Sequence, residues 1–169
     1  MMYQSVDAGE ALSQGDIIDG CPIFGAVEVA TALAPQAQPT RWFVRIIVLT
    51  QACDLAQTKT SKVLVAVVHD AAELVQKGIL KASVVRDQVR RSLVYGWYFL
   101  PAAPVPINVS ESIVDLRDVH TVSRRVLEHL IDQGKRVARF STPYREHLAQ
   151  HFTVTYARIG LPQPFESEP

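Results

Sequence analysis

Trp42-Phe43-Val44-Arg45-Ile46-Ile47-Val48-Leu49-Thr50 is the strongest strand in the chain, a dense run of β-branched and aromatic side chains bounded by Thr40 and by a polar loop. A run of this kind is a strand buried on most of its length, and its place is mid-sheet. Twelve residues of loop, Gln51 to Lys62, lead to Val63-Leu64-Val65-Ala66-Val67-Val68, close enough in sequence to be its hairpin partner. Upstream, Asp16-Ile17-Ile18-Asp19-Gly20-Cys21-Pro22-Ile23-Phe24 is β-rich but interrupted by Gly20 and Pro22, the mark of a bent edge strand or a bulge. Gly25 to Thr31 then alternates as a half-buried strand does.

Downstream the period changes. Leu80, Val84, Val85, Val89 and Leu93 recur every three to five residues while Lys81, Arg86, Arg90 and Arg91 take other faces, which predicts an amphipathic helix over 80–94. Trp97–Leu100 and Ile113–Leu116 read as further strands, and Ser123 caps a short helix ending at Gly134. A last helix opens at Thr142-Pro143, with Pro at the first helical position, and stops at Gly160 and Pro162. Tyr144, Leu148, Phe152, Tyr156 and Ile159 form its apolar stripe, although Thr153-Val154-Thr155 lowers helix propensity near its end. The fold class is therefore α+β: a small twisted β-sheet or an SH3-like barrel, with helical additions and a C-terminal helix. Two Pro-bearing loops, 34–39 and 101–106, punctuate one domain spanning 1–169, with 1–12 and 163–169 as loose ends.

A chain of 169 residues needs no staples, since a domain of this size hides roughly 70% of its unfolded surface. Seventeen basic and seventeen acidic side chains cancel, so no long-range field gathers nucleic acid or an anionic membrane, and any such contact must be local. Two separated cysteines, Cys21 and Cys53, together with an N-terminus lacking a basic start and an apolar run, point to a cytoplasmic protein with reduced thiols. No apolar run approaches membrane-spanning length.

The corner Leu49-Thr50-Gln51-Ala52-Cys53-Asp54-Leu55 clusters a hydroxyl, an amide, a thiol and a carboxylate where a buried strand emerges into a loop. A nucleophilic Cys53 needs a base, and His69 at the end of the partner strand is the candidate. Asp54 opposes this, because an adjacent carboxylate disfavours the thiolate. The plainer reading has Cys53 as a small buried residue and Asp54 satisfying turn amides. His147 and His151 share a helix face but lack the metalloprotease glutamate and a third ligand, so no metal site is assigned, and nothing calls for a cofactor. Arg86, Arg90, Arg91, Arg124, Arg125, Arg136, Arg139, Arg145 and Arg158 form local groups that either cover helix faces, pairing with Asp87, Glu128, Asp132 and Glu146, or meet phosphate. Trp42, Trp97, Tyr98 and Phe99 would stack bases where exposed.

Gly15-Asp16-Ile17-Ile18, then Arg45 to Thr50, then Val63 to Val68, resembles the opening of the MazF/PemK toxin family over residues 15–69. The resemblance implies an SH3-like barrel and a dimeric, metal-independent endoribonuclease. Arg45 and Thr50 would then serve at the scissile phosphate, a role for which a fixed guanidinium is suited because it stabilises charge on phosphoryl oxygens. Ile46 stands where the family usually has a proline. The expectation is a nucleic-acid-acting protein, with Arg45, Thr50, Cys53 and His69 as candidate catalytic groups and Gln51, Asp54 and Asp16 as substrate contacts. The alternatives are a non-enzymatic module that docks a protein partner, and a cysteine hydrolase centred on Cys53.

Overall fold

The computed structural model describes residues 1–25, 39–58 and 60–157. Among them seven strands make one antiparallel sheet: β1 (Tyr3–Gln4), β2 (Asp16–Gly25), β3 (Thr40–Val48), β4 (Lys62–Asp70), β5 (Trp97–Leu100), β6 (Ser112–Ser123) and β7 (Arg136–Phe140). The order across the sheet is β1-β7-β2-β3-β4-β6-β5, with β3 in the middle, and the sheet does not close into a barrel. The helices are α1 (Ala52–Ala56), α2 (Ala71–Gln76), α3 (Ala82–Asp87), α4 (Arg124–Asp132) and α5 (Tyr144–Tyr156). None of the described helices is long and apolar enough to cross a membrane.

Strand alternation divides the core in two. Ile17, Ile47, Leu49, Ala66, Val68, Val114 and Phe140 lie in one cluster with Leu148 of α5. Ile18, Ile46, Val48, Val63, Val65 and Val122 lie in another with Leu127, Leu130 and Ile131 of α4. A helix on each face is what lets the middles of β3 and β4 be apolar at consecutive positions. A smaller cluster joins Ala71, Val85, Val89 and Ile113 beneath α2 and α3.

Several expectations are corrected. β3 is buried only in its second half, because residues 40–43 have β2 as their one strand neighbour and are all exposed. The 80–94 helix is broken: α3 ends at Asp87, Gln88 leaves the helical region, and a 3-10 turn over Val89–Arg91 ends at Ser92 with φ 56°. Val85 and Val89 are buried, but Leu93 is 69% exposed, so the apolar spacing is not one continuous stripe. β2 carries the bulge read at Gly20, yet it is no edge strand at its start, where β7 pairs with Asp16–Ile18. Residues 1–12, read as a loose end, are anchored by β1 and by Tyr3, 3% exposed, whose hydroxyl donates to the Pro101 carbonyl at 2.7 Å. β7 has no counterpart in the sequence reading. α5 starts one residue later than expected, with Pro143 at the cap, and ends at Tyr156. Its expected stop at Gly160 and Pro162, the strand from Gly25 to Thr31 beyond Gly25, the 34–39 loop apart from Pro39, and the 163–169 end fall outside the described residues.

Candidate nucleic-acid interface

Beyond Ile18, β2 leaves β7 and pairs with β3 alone, so the two strands run on as a two-stranded arm. The departure point is the bulge between Ile18 and Cys21, where Gly20 adopts φ 70°, a backbone that L side chains rarely tolerate. Along the arm Cys21 pairs with Val44, Pro22 with Phe43, Ile23 with Trp42 and Phe24 with Arg41. Alternation therefore puts Cys21, Ile23, Trp42 and Val44 on the inner face, continuous with the core under α4. Pro22, Phe24, Arg41 and Phe43 take the outer face, and Arg45 follows two residues further along it. Phe24 is 58% exposed and Phe43 63%, and the Arg41 guanidinium lies 4.9 Å from the Phe43 ring centroid. Trp42 leans the other way, over Gly25, where a Cβ would come within 3.2 Å of its ring.

Arg45 sits at the base of this face. The extra residue of the bulge sets Asp19 opposite it, and the pair is bidentate, Nε to Oδ1 at 2.5 Å and Nη2 to Oδ2 at 3.0 Å. Among the described residues nothing bonds Nη1. Arg45 is a shared wall of two depressions. One, of about 590 Å³, also takes Phe43, His69, Asp70, Lys77 and Ser110. The other, of about 400 Å³, takes Asp19, Asn108, Lys135 and Arg136. Asp70 lies on Arg45's side of the sheet, since Arg45 pairs with Val68. Partial burial pushes the Asp70 carboxyl up, but the Ser110 hydroxyl at 2.6 Å, the amides of Glu73 and Ala72, and Arg45 outweigh it and hold the group below the usual carboxylate range.

The other predicted site residues do not join this centre. The Thr50 hydroxyl accepts from the Leu64 amide at 2.7 Å, which ties down the exit of β3. Arg45 and Thr50 thus stand at opposite ends of the β3–β4 hairpin, five residues or roughly 17 Å apart at strand rise. Gln51, Cys53 and Asp54 are around the exposed first turn of α1, with Cys53 Sγ 3.6 Å from Gln51 Oε1 and 3.9 Å from Asp54 Oδ1. His69, opposite Ile113 at the Arg45 end, is not brought to Cys53. Cys53 is also not the buried residue of the plainer reading; Cys21 is, and burial pushes its thiol up to about 11.

Asp16 has no open surface. It is fully buried, gripped by Arg139 through Nε at 2.5 Å and Nη2 at 3.1 Å, by Arg136, and by the Ser13 amide at 3.0 Å. Three of the helix arginines pair locally, Arg86 with Asp87, Arg124 with Glu128 and Arg145 with Glu146. Tyr98 is buried, while Trp97 and Phe99 are half-buried, with Arg117 and Arg90 over their rings. Among the described residues no group of three His, Cys, Asp or Glu side chains could hold a metal ion. Sequence reading missed Arg41, Phe24 and Phe43, because what unites them is cross-strand register. Compared with protein-family models and with curated proteins, the chain matches none.

Proposed function

We propose that this protein binds single-stranded RNA across the outer face of its β2–β3 arm. The observation that carries the reading is two exposed phenyl rings, Phe24 and Phe43, sharing one face of a ribbon with Arg41 and Arg45. A ring face stacks on any base, and Arg41 already lies over Phe43, so ring and cation act as one surface toward a base and its phosphate. Arg45, fixed by Asp19, supplies a guanidinium whose direction is set before a ligand arrives. The reading is of binding and not of cleavage, because Arg45 and Thr50 are too far apart to act on one phosphate.

Anisotropy with a labelled oligouridine tests it. Phe24→Ala and Phe43→Ala should each weaken binding about 5- to 150-fold, the equivalent of roughly 1–3 kcal/mol per stacked base. Contact with two phosphates should give a salt slope near −1.4, from about −0.7 per phosphate on a single strand. Full affinity in the double phenylalanine variant would reject the proposal. One observation favours a protein-docking alternative: β2 beyond Asp19 has no strand on its outer edge among the described residues, and such an edge accepts an added strand. A dimer or complex disrupted by Phe24→Ala in a protein indifferent to RNA would favour that reading.

A further inference from the structure

His147 and His151 lie one turn apart on α5, and both meet Tyr98 of β5. Tyr98 is 4% exposed, its hydroxyl is 2.9 Å from His147 Nδ1, and its ring stands edge-on to His151 with centroids 5.5 Å apart. The imidazole centroids are 6.4 Å from each other. The titratable groups facing the cluster are Tyr98 from β5, Tyr144 in the first turn of α5, which acts on the Tyr98 phenol, and Tyr3 of β1, whose own phenol Tyr98 acts on. Asp115 and Arg117 of β6 lie past Trp97 and are bonded to each other. Among the described residues no carboxylate pairs with either ring.

Burial, and then Tyr144, push the Tyr98 phenol up to about 12, so it keeps its proton, and its hydroxyl and His147 Nδ1 share one hydrogen bond whose direction follows the imidazole tautomer. Burial, and then the neighbouring His147, pull His151 below its ordinary value against the opposing influence of the main chain at Trp97. A proton at His151 places a cation in a site partly shut off from water, against the Tyr98 ring and the neighbouring His147.

We propose that Tyr98, His147 and His151 form an acid-sensitive clasp, which holds α5 on the sheet while His151 is neutral and loosens it when that ring takes up a proton. A base whose pKa is depressed by folding contributes stability that is complete above its unfolded value of 6.5 and is lost as pH falls through the folded value. Leu148 in the core, the Tyr95 hydroxyl on the Thr155 carbonyl and the Tyr156 hydroxyl on the Leu116 carbonyl keep α5 tethered. Acid therefore opens the helix locally and leaves the sheet folded.

Hydrogen exchange of the full chain between pH 7.5 and 5.5, referenced to unstructured-peptide rates, tests the clasp. Protection of residues 144–156 relative to β4 should fall as the pH drops, by up to about tenfold per pH unit for each proton taken up. The double variant His147→Gln, His151→Gln should show no such fall. Constant relative protection in the wild-type chain, or the same fall in the double variant, overturns the proposal. Should that variant not fold, the imidazole resonances of the wild-type protein decide: a His151 midpoint at or above 6.5 overturns it, and one below supports it.

Discussion

Replacing Asp16 by alanine should destabilise the protein severely while leaving RNA binding by the folded fraction intact. The carboxylate is fully buried, and the Arg139 and Arg136 side chains that bond it are 9% and 4% exposed. Removing the acid leaves the Arg139 guanidinium out of water with Glu10 and the Ala11 carbonyl as its remaining partners. Breaking a buried pair in this way costs about 3–5 kcal/mol, much of it from the stranded charge. For a chain of this length that corresponds to a fall in Tm of roughly 6–20 °C. The Ser13 amide loses its acceptor as well, so the segment that Arg136 and Arg139 hold through the carbonyls of Asp7, Glu10 and Ala11 should open to protease. Urea unfolding gives the free energy, with an unchanged m-value confirming that the same surface is exposed. A loss below about 1 kcal/mol would place the pair among exposed ion pairs and refute the reasoning. A stable variant that has lost RNA affinity would return Asp16 to the role of substrate contact.

Two further substitutions separate scaffold from site. Thr50→Val should cost about 1–3 kcal/mol by depriving the Leu64 amide of its acceptor, Thr50→Ser should recover most of it, and neither should alter RNA affinity; a Thr50→Val protein that is stable but no longer binds would contradict the assignment. Asp70, held below its ordinary 3.8 when folded, contributes stability that is full above that value and is lost as pH falls through the folded one. Asp70→Asn should therefore flatten the acid limb of the stability curve between about pH 5 and 2, and an unchanged limb in pH-dependent urea melts would show that the group carries no such linkage.

The middles of β3 and β4 were readable because α4 and α5 cover both faces, so burial wrote itself into consecutive apolar residues. β7 was unreadable for the converse reason. Arg136 and Arg139 interrupt its five residues, and only their bonds to Asp16 and to the 7–11 segment, more than a hundred residues away, make those charges compatible with a strand. The 80–94 segment misled because its spacing of three to five residues suits a helix on average, while the left-handed Ser92 and the exposure of Leu93 belong to a chain that has already turned away. At the candidate interface Arg45 stood out as a charge within an apolar strand, but its partner Asp19 depends on the bulge. The corner from Thr50 to Asp54 looked functional on composition alone, yet its hydroxyl is spent on main chain and its thiol faces outward.

The single extra residue near Gly20 has a larger reach than its own turn. Side chains on a ribbon alternate, so if Gly20 took a regular strand position in place of the bulge, β2 would slip by one residue against β3 and exchange inside for outside at every later position. Phe24 would swing beneath the arm and Ile23 would surface in its place. One inserted glycine thus works as a parity bit for the ribbon, deciding whether it offers aromatic rings to the solvent or hides them.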